Sequence, residues 1–185
     1  MSSIKLTADS GGGTFELKAP SSGSNARVLT VPDTASGTVL TTTNPKVGNI
    51  LQVVNQDVAN TAITTNSTSF VSMNTSVSIT PSATSSKVFI LLTGGGTYLP
   101  SSTSFAYVTV YRDSTNIGDP SYGLESMYNT GTSYAIIPHS LSVLDSPNTT
   151  SAITYTIYAR CQNGTYQFQQ VDRAHATLTA MEIAG

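Results

Sequence analysis

From Ile50 onward, apolar and polar residues change places at every second position. The run Ile153-Thr154-Tyr155-Thr156-Ile157-Tyr158-Ala159-Arg160 shows this most clearly, and Ala176-Thr177-Leu178-Thr179-Ala180-Met181-Glu182-Ile183 repeats it. Successive side chains of a strand point to opposite faces, so a period of two marks a half-buried β-strand. Similar runs cover residues 50–55, 69–73, 76–80, 86–92, 105–112, 134–144 and 165–170. No stretch combines an amphipathic helical stripe with caps. Roughly eight strands in about 135 residues predict an all-β fold, an antiparallel jelly-roll-like sandwich.

Local signals refine this map. Residues 69–73 and 76–80 read as a hairpin-like pair. The run Val88-Phe89-Ile90-Leu91-Leu92 is apolar on both parities, which predicts a central strand covered on both faces. Gly94-Gly95-Gly96 reads as a turn between strands, and Asp113-Ser114-Thr115-Asn116 as another. Asn163-Gly164 is a strong two-residue hairpin signal, joining the 152–160 strand to residues 165–170. Phe89, Leu91, Tyr107, Val110, Ile157 and Leu178 are the expected core. Residues 116–133 form the longest stretch without a strand pattern.

The first 45 residues are different. Three β-prone runs, at 14–20, 27–32 and 37–45, each end at a proline (Pro20, Pro32, Pro45). Proline removes a ladder donor, so it sits where strand pairing stops. Ser10-Gly11-Gly12-Gly13 reads as a flexible joint before the first run and Lys46-Val47-Gly48-Asn49 as a hinge after the last. The division predicted is an extended β arm at 1–48 and a sandwich head at 49–185. A ribbon this thin is unstable alone in water. It gains stability when copies of the chain complete its core, which predicts a homotrimer with interchain contacts at Phe15, Leu17, Val28, Leu29, Val31, Val39 and Leu40.

Composition excludes several classes. Charged residues are 10% of the chain, against about 25% in typical soluble domains. Ser and Thr make up roughly 30%. The eight Lys and Arg residues (Lys5, Lys18, Lys46, Lys87, Arg27, Arg112, Arg160, Arg173) are scattered and the net charge is -2, which excludes electrostatic nucleic-acid binding. The longest apolar run is far short of a membrane span. The N-terminus lacks the apolar core of a signal peptide, so synthesis in a cytoplasm is expected. Cys161 is the single cysteine, so no intrachain disulfide forms.

The segments Gly13-Thr14-Phe15-Glu16-Leu17-Lys18-Ala19-Pro20 and Leu29-Thr30-Val31-Pro32-Asp33-Thr34-Ala35-Ser36-Gly37-Thr38-Val39-Leu40-Thr41-Thr42 resemble a module of bacteriophage tail-fibre and other virion appendage proteins. In that group the module is a short shaft in which three chains wrap into a β-prism. Residues 154–160 and 178–183 are similar to the compact β heads that end such proteins. The resemblance implies a virion-exterior protein made in the host bacterial cytoplasm. It leaves two roles: a tail fibre, or a capsid decoration (cement) protein whose arm clamps the shell. The implied partners are itself and other virion proteins, tail or major capsid.

Catalytic signals are weak. His139 lies in a predicted strand and His175 in a turn into the last strand, and no Gly-x-Ser-x-Gly elbow accompanies them. The only carboxylates close together in the long loop are Asp119 and Glu125, expected to be solvated rather than opposed as in a glycosidase. Asp113, Asp119 and Asp145 are not gathered into a calcium loop. Cys161 has no base beside it, which predicts an inert thiol. No enzyme activity, cofactor or metal is expected. The binding candidate is the loop at residues 118–129, rich in Tyr, Ser, Gly and Asn, a composition suited to rigid and adaptable contacts. Tyr122, Leu124, Met127 and Tyr128 are its expected contact residues, for a host-surface glycan or protein, or else for a neighbouring subunit. A free sugar-binding module is the remaining alternative.

Overall fold

The computed structural model describes residues 3–7, 14–18, 45–100, 104–131, 133–169 and 175–185. The chain separates into two compact units, Met1–Val39 and Leu40–Gly185. In the first, β1 (Ser3–Thr7) pairs antiparallel with β2 (Thr14–Lys18), Leu6 opposite Phe15 and Ile4 opposite Leu17. The sequence reading missed β1, because its five residues are too short to show a period. Phe15 and Leu17 stand in β2. Val28, Leu29, Val31, Val39 and Leu40 lie outside the described residues, as do Asp172, Arg173 and Ala174, where the sequence led to an expected turn before His175.

The second unit contains β3 (Ile50–Asp57), β4 (Thr64–Thr65), β5 (Val71–Ile79), β6 (Lys87–Leu99), β7 (Ser104–Arg112), β8 (Thr115–Asn116), β9 (Glu125–Asn129), β10 (Ala135–Asp145), β11 (Ile153–Asn163), β12 (Tyr166–Gln167) and β13 (Ala176–Ile183). All pairings are antiparallel. One sheet runs β3-β13-β6-β10, with β12 and β4 continuing along the far end of β6; the other runs β5-β11-β7-β9, with β8 beside the end of β7. Setting aside the three two-residue strands, the eight longer ones pair first with last: β3 with β13, β5 with β11, β6 with β10, β7 with β9. That nested order is a long hairpin rolled up on itself, an all-β jelly roll of two antiparallel sheets.

The core lies between the sheets, and alternation supplies it. In β11, Ile153, Tyr155, Ile157, Ala159 and Cys161 are buried; in β13, Ala176, Leu178 and Ala180 are. Val88, Ile90 and Leu92 of β6 have no exposed surface. Phe89 and Leu91 take the outer face and are only half-buried. Both parities of that run are apolar, so the sequence could not say which one faced inward; Val110, Ile157 and Leu178 are core as expected, whereas Tyr107 is buried on the outer face of its sheet, beneath Arg160 and Tyr122.

Four local expectations are corrected. Residues 69–80 are not a hairpin: β5 is one strand, and Asn74 takes φ +49° where the pairing with β11 slips between Thr156 and Tyr158. A bulge at a residue that tolerates the left-handed region bends the strand without ending it. Gly94-Gly95-Gly96 lies inside β6 rather than between strands. There Gly95 and Gly96 bulge against Pro138 of β10, which has no N–H to give, and Gly94 and Gly95 take φ +82° and +71°. A Cβ on Gly94 would lie 2.4 Å from the His175 carbonyl oxygen, so the close passage of the chain entering β13 requires glycine. Asn163-Gly164 turns the chain, with Gly164 at φ +77°, yet β12 leaves for the opposite sheet. β11 is already flanked by β5 and β7, so no edge is free for a hairpin partner. Finally, the long loop contains β9.

Candidate functional site

The outer face of the β5-β11-β7-β9 sheet carries most of the surface aromatic residues. Along β7, Phe105, Tyr107, Thr109 and Tyr111 alternate outward while Ala106, Val108 and Val110 enter the core. Register brings Arg160 of β11 opposite Tyr107 and Tyr128 of β9 opposite Phe105. The Tyr128 ring stacks on Phe105 with centroids 4.1 Å apart, and Tyr158 stacks on Tyr111 at 4.0 Å. Tyr122 meets Tyr107 edge-on at 5.6 Å. Aromatic pairs of these geometries add about 0.5–1.5 kcal/mol beyond the area they bury.

The segment that carries Tyr122 lies directly on β7. Asp119 and Gly123 exchange both backbone bonds, and the Asp119 carboxylate accepts the Ser121 and Tyr122 N–H groups at 2.8 and 2.7 Å. Gly123 has φ +68°, and a Cβ there would lie 2.4 Å from the Val108 carbonyl oxygen. The Leu124 N–H donates to that same oxygen at 2.8 Å. Arg160 holds the segment from below. Its Nε donates to the Ser121 carbonyl at 2.8 Å, a second guanidinium nitrogen reaches the same oxygen, and a third donates to the Thr68 carbonyl at 3.2 Å. Its guanidinium carbon sits 4.5 Å from the Tyr107 ring centroid and 5.6 Å from that of Phe70, within cation–π range.

Tyr122 and Tyr128 are 62% and 55% exposed. Each presents one ring surface to solvent while a β7 aromatic supports it from behind. The other two expected contact residues are not available. Met127 faces inward and is buried in the core, and Leu124 packs half-buried against it. β9 alternates, so its neighbours along the chain point opposite ways. Tyr107, Phe105 and Arg160 were missed as members of this face. The parity of β7 carried a signal for the first two; Arg160 needed the register.

A second cluster joins the sheets. His139 of β10 is buried, and its Nδ1 lies 2.7 Å from Glu125 Oε2 of β9. Its Nε2 lies 2.7 Å from Thr97 Oγ1 of β6. With Nδ1–H donating to the carboxylate, Nε2 accepts the threonine hydroxyl, a tautomer set by Glu125. Glu125 also accepts the Ser140 N–H at 3.1 Å. It is therefore no solvated loop charge, as the sequence suggested, and it stands apart from Asp119, which caps its own turn. The order hydroxyl, imidazole, carboxylate is that of a hydrolytic triad. Thr97, however, has no exposed surface, so no substrate reaches its oxygen, and the cluster acts as an inter-sheet clasp.

The other candidates have structural partners. Arg112 Nη1 donates to both oxygens of Asp145 at 2.9 Å, and the Tyr155 hydroxyl donates to Asp145 at 2.8 Å. Burial, then the bond to Asp145, pushes the Tyr155 phenol far above its ordinary range. Asp113 accepts the Thr154 N–H at 3.0 Å. The buried Cys161 thiol points to the Asn163 carbonyl at 2.9 Å, and burial raises its pKa. Among the described residues no group of three or more His, Cys, Asp or Glu is placed to hold a metal. A polar cleft of about 250 Å³ opens between β3 and β5, lined by Gln56, Asp57, Ala59, Asn74, Thr75 and Ser76.

No protein-family model matches this chain, and no curated protein does. Among solved structures it is similar to the VP2 subviral particle of infectious bursal disease virus, with 11% identity and a TM-score of 0.41 over 86% of this chain and 38% of that one. It is also similar to infectious bursal disease virus of the Gx strain (10%, TM-score 0.40, 91% and 38%) and of the Gt strain (12%, TM-score 0.34, 97% and 46%). The chain spans less than half the length of each of these.

Proposed function

We propose that this chain is a non-enzymatic structural protein of a bacteriophage particle: a homotrimeric exterior appendage of the tail-fibre or receptor-binding type. Its jelly-roll head offers the aromatic outer face of the β5-β11-β7-β9 sheet to a host-surface glycan or protein. The observation that carries this is the pair Tyr122 and Tyr128, exposed, each backed by an aromatic of β7, one of them on a segment pinned by Arg160. Rigid amphipathic rings give contact area at little entropic cost, which is what a recognition surface needs. A fold alone carries no function, but jelly rolls recur in capsid and lectin domains. The likeness of residues 13–20 and 29–42 to a tail-fibre shaft adds the virion context and the trimer.

The test is competition for adsorption. Purified full-length chain, added before particles, blocks their attachment to host cells, and the Tyr122→Ala, Tyr128→Ala double variant loses at least tenfold in blocking potency. A double variant that blocks as well as the parent removes this face from the contact.

A further inference from the structure

The aromatic face also carries the chemistry of its ligand. Phe105 and Tyr107 stand two positions apart on β7, about 7 Å along the strand. Each supports one exposed ring, Tyr128 with centroids 4.1 Å apart and Tyr122 at 5.6 Å. One small ligand reaches two platforms this close. Hydroxyl and amide groups surround them. Ser126 of β9 lies opposite Tyr107 and is exposed. Gln162 of β11, also exposed, accepts the Tyr107 hydroxyl at 3.3 Å.

Charge narrows what binds there. Among the described residues, the outward positions of β5, β7, β9 and β11 carry one ionised side chain, Arg160. Two of its nitrogens donate to the Ser121 carbonyl and the third to the Thr68 carbonyl, and its plane lies over Tyr107. The nearest carboxylate, Asp119, has the opposite sign and caps the same segment. Recognition of a carboxylate or phosphate draws on free Arg or Lys forks, and this face offers none. Serine is depleted where proteins meet, yet Ser72, Ser76, Ser78 and Ser126 take outward positions on this sheet. A sugar ring matches both halves of the surface. Its C–H groups carry slight positive charge and lie on the negative face of an aromatic ring, while its hydroxyls, at the rim, exchange hydrogen bonds with Ser and Gln side chains. We infer that the ligand is an uncharged oligosaccharide, stacked on Tyr122 and Tyr128 with its hydroxyls toward Ser126 and Gln162. The inference rests on the reading of this face as the receptor contact and narrows its ligand to one class.

Binding of fluorescently labelled full-length chain to host cells tests it. Cells are used untreated, after mild periodate, which cleaves sugar diols, and after protease. Periodate is expected to lower the bound chain about tenfold. Raising salt from about 0.05 to 0.5 M is expected to change binding less than about twofold, since an uncharged ligand has nothing to screen. Loss to periodate, with or without loss to protease, supports the sugar. Loss to protease alone makes the ligand a protein and overturns this inference, leaving the face as the contact. A fall of about tenfold in high salt makes the ligand charged and overturns it likewise. The Ser126→Ala, Gln162→Ala double variant is expected to bind untreated cells several-fold more weakly, and binding equal to the parent's overturns the site as assigned. A parent chain that binds no untreated cells overturns the receptor reading and this inference with it.

Discussion

Glu125 and His139 stand fourteen positions apart in the chain and on opposite sheets of the sandwich, yet their side chains meet at 2.7 Å. The contact closes the sandwich where β9 passes β10, and Thr97 completes it from β6. Removing the carboxylate leaves a buried imidazole N–H and the Ser140 N–H without their acceptor. An unsatisfied buried polar group costs about 1–3 kcal/mol. Glu125→Ala therefore lowers the unfolding free energy by about that amount, read as a lower urea midpoint, and Thr97→Val lowers it less. A midpoint unchanged in Glu125→Ala would show that the clasp contributes nothing.

Glu182 links stability to pH. It is buried in β13; burial raises its pKa, but hydrogen bonds from Ser82 at 2.6 and 2.7 Å and from Gln52 at 2.5 Å outweigh burial, so its pKa lies below the ordinary 4.5. A carboxyl held lower in the folded state than in the unfolded one binds fewer protons when folded. Its contribution is therefore complete above the ordinary value and is lost as pH falls through the lowered one. Glu182→Gln is expected to be less stable than the parent at neutral pH, with the gap closing below about pH 4.5. Parallel unfolding curves from pH 3 to pH 7 check this, and a constant gap would contradict it.

Gly94 and Gly48 separate two effects of added side chains. Both have positive φ, but a Cβ at Gly48 meets nothing within 4 Å, whereas at Gly94 it meets the His175 carbonyl oxygen at 2.4 Å. Gly48→Ala costs only the backbone strain, about 1–2 kcal/mol. Gly94→Ala adds a steric collision and costs measurably more. Equal losses in thermal unfolding would mean that β13 does not start where it is placed here.

The jelly roll was legible where a strand was long and half-buried. The alternation of Ile153–Asn163 and Ala176–Ile183 located β11 and β13 and named Ile157 and Leu178 as core. It was illegible where both parities were apolar, so Phe89 and Leu91 were assigned to the wrong face. It was also illegible where a strand was short, as at β9, or bent at a bulge, as at Asn74 and Gly95. Asn163-Gly164 failed for a different reason: turn chemistry is local, while the availability of a sheet edge is a property of the whole topology. Tyr122 and Tyr128 were singled out from the composition of their loop, and both are exposed. Arg160 and the Thr97–His139–Glu125 cluster depend on register between distant strands, and no sequence spacing encodes that.

Arg160 fixes the Tyr122 segment through the Ser121 carbonyl and through the Tyr107 ring. Lysine reproduces the charge but not the planar fork. Arg160→Lys is expected to speed hydrogen exchange at the Gly123 amide, which donates to Asp119, while leaving the core amides of β11 and β13 unchanged. Equal exchange in both proteins would show that Asp119 and Gly123 hold the segment unaided.

The claim that the chain is an exterior appendage of a virus particle is tested most directly by gold-labelled antibody against the head, applied to purified particles and viewed by electron microscopy. A few labels per particle, confined to the tail, are the expected result. Label spread over the whole shell would make the chain a decoration protein, and particles carrying none of it would contradict the account altogether.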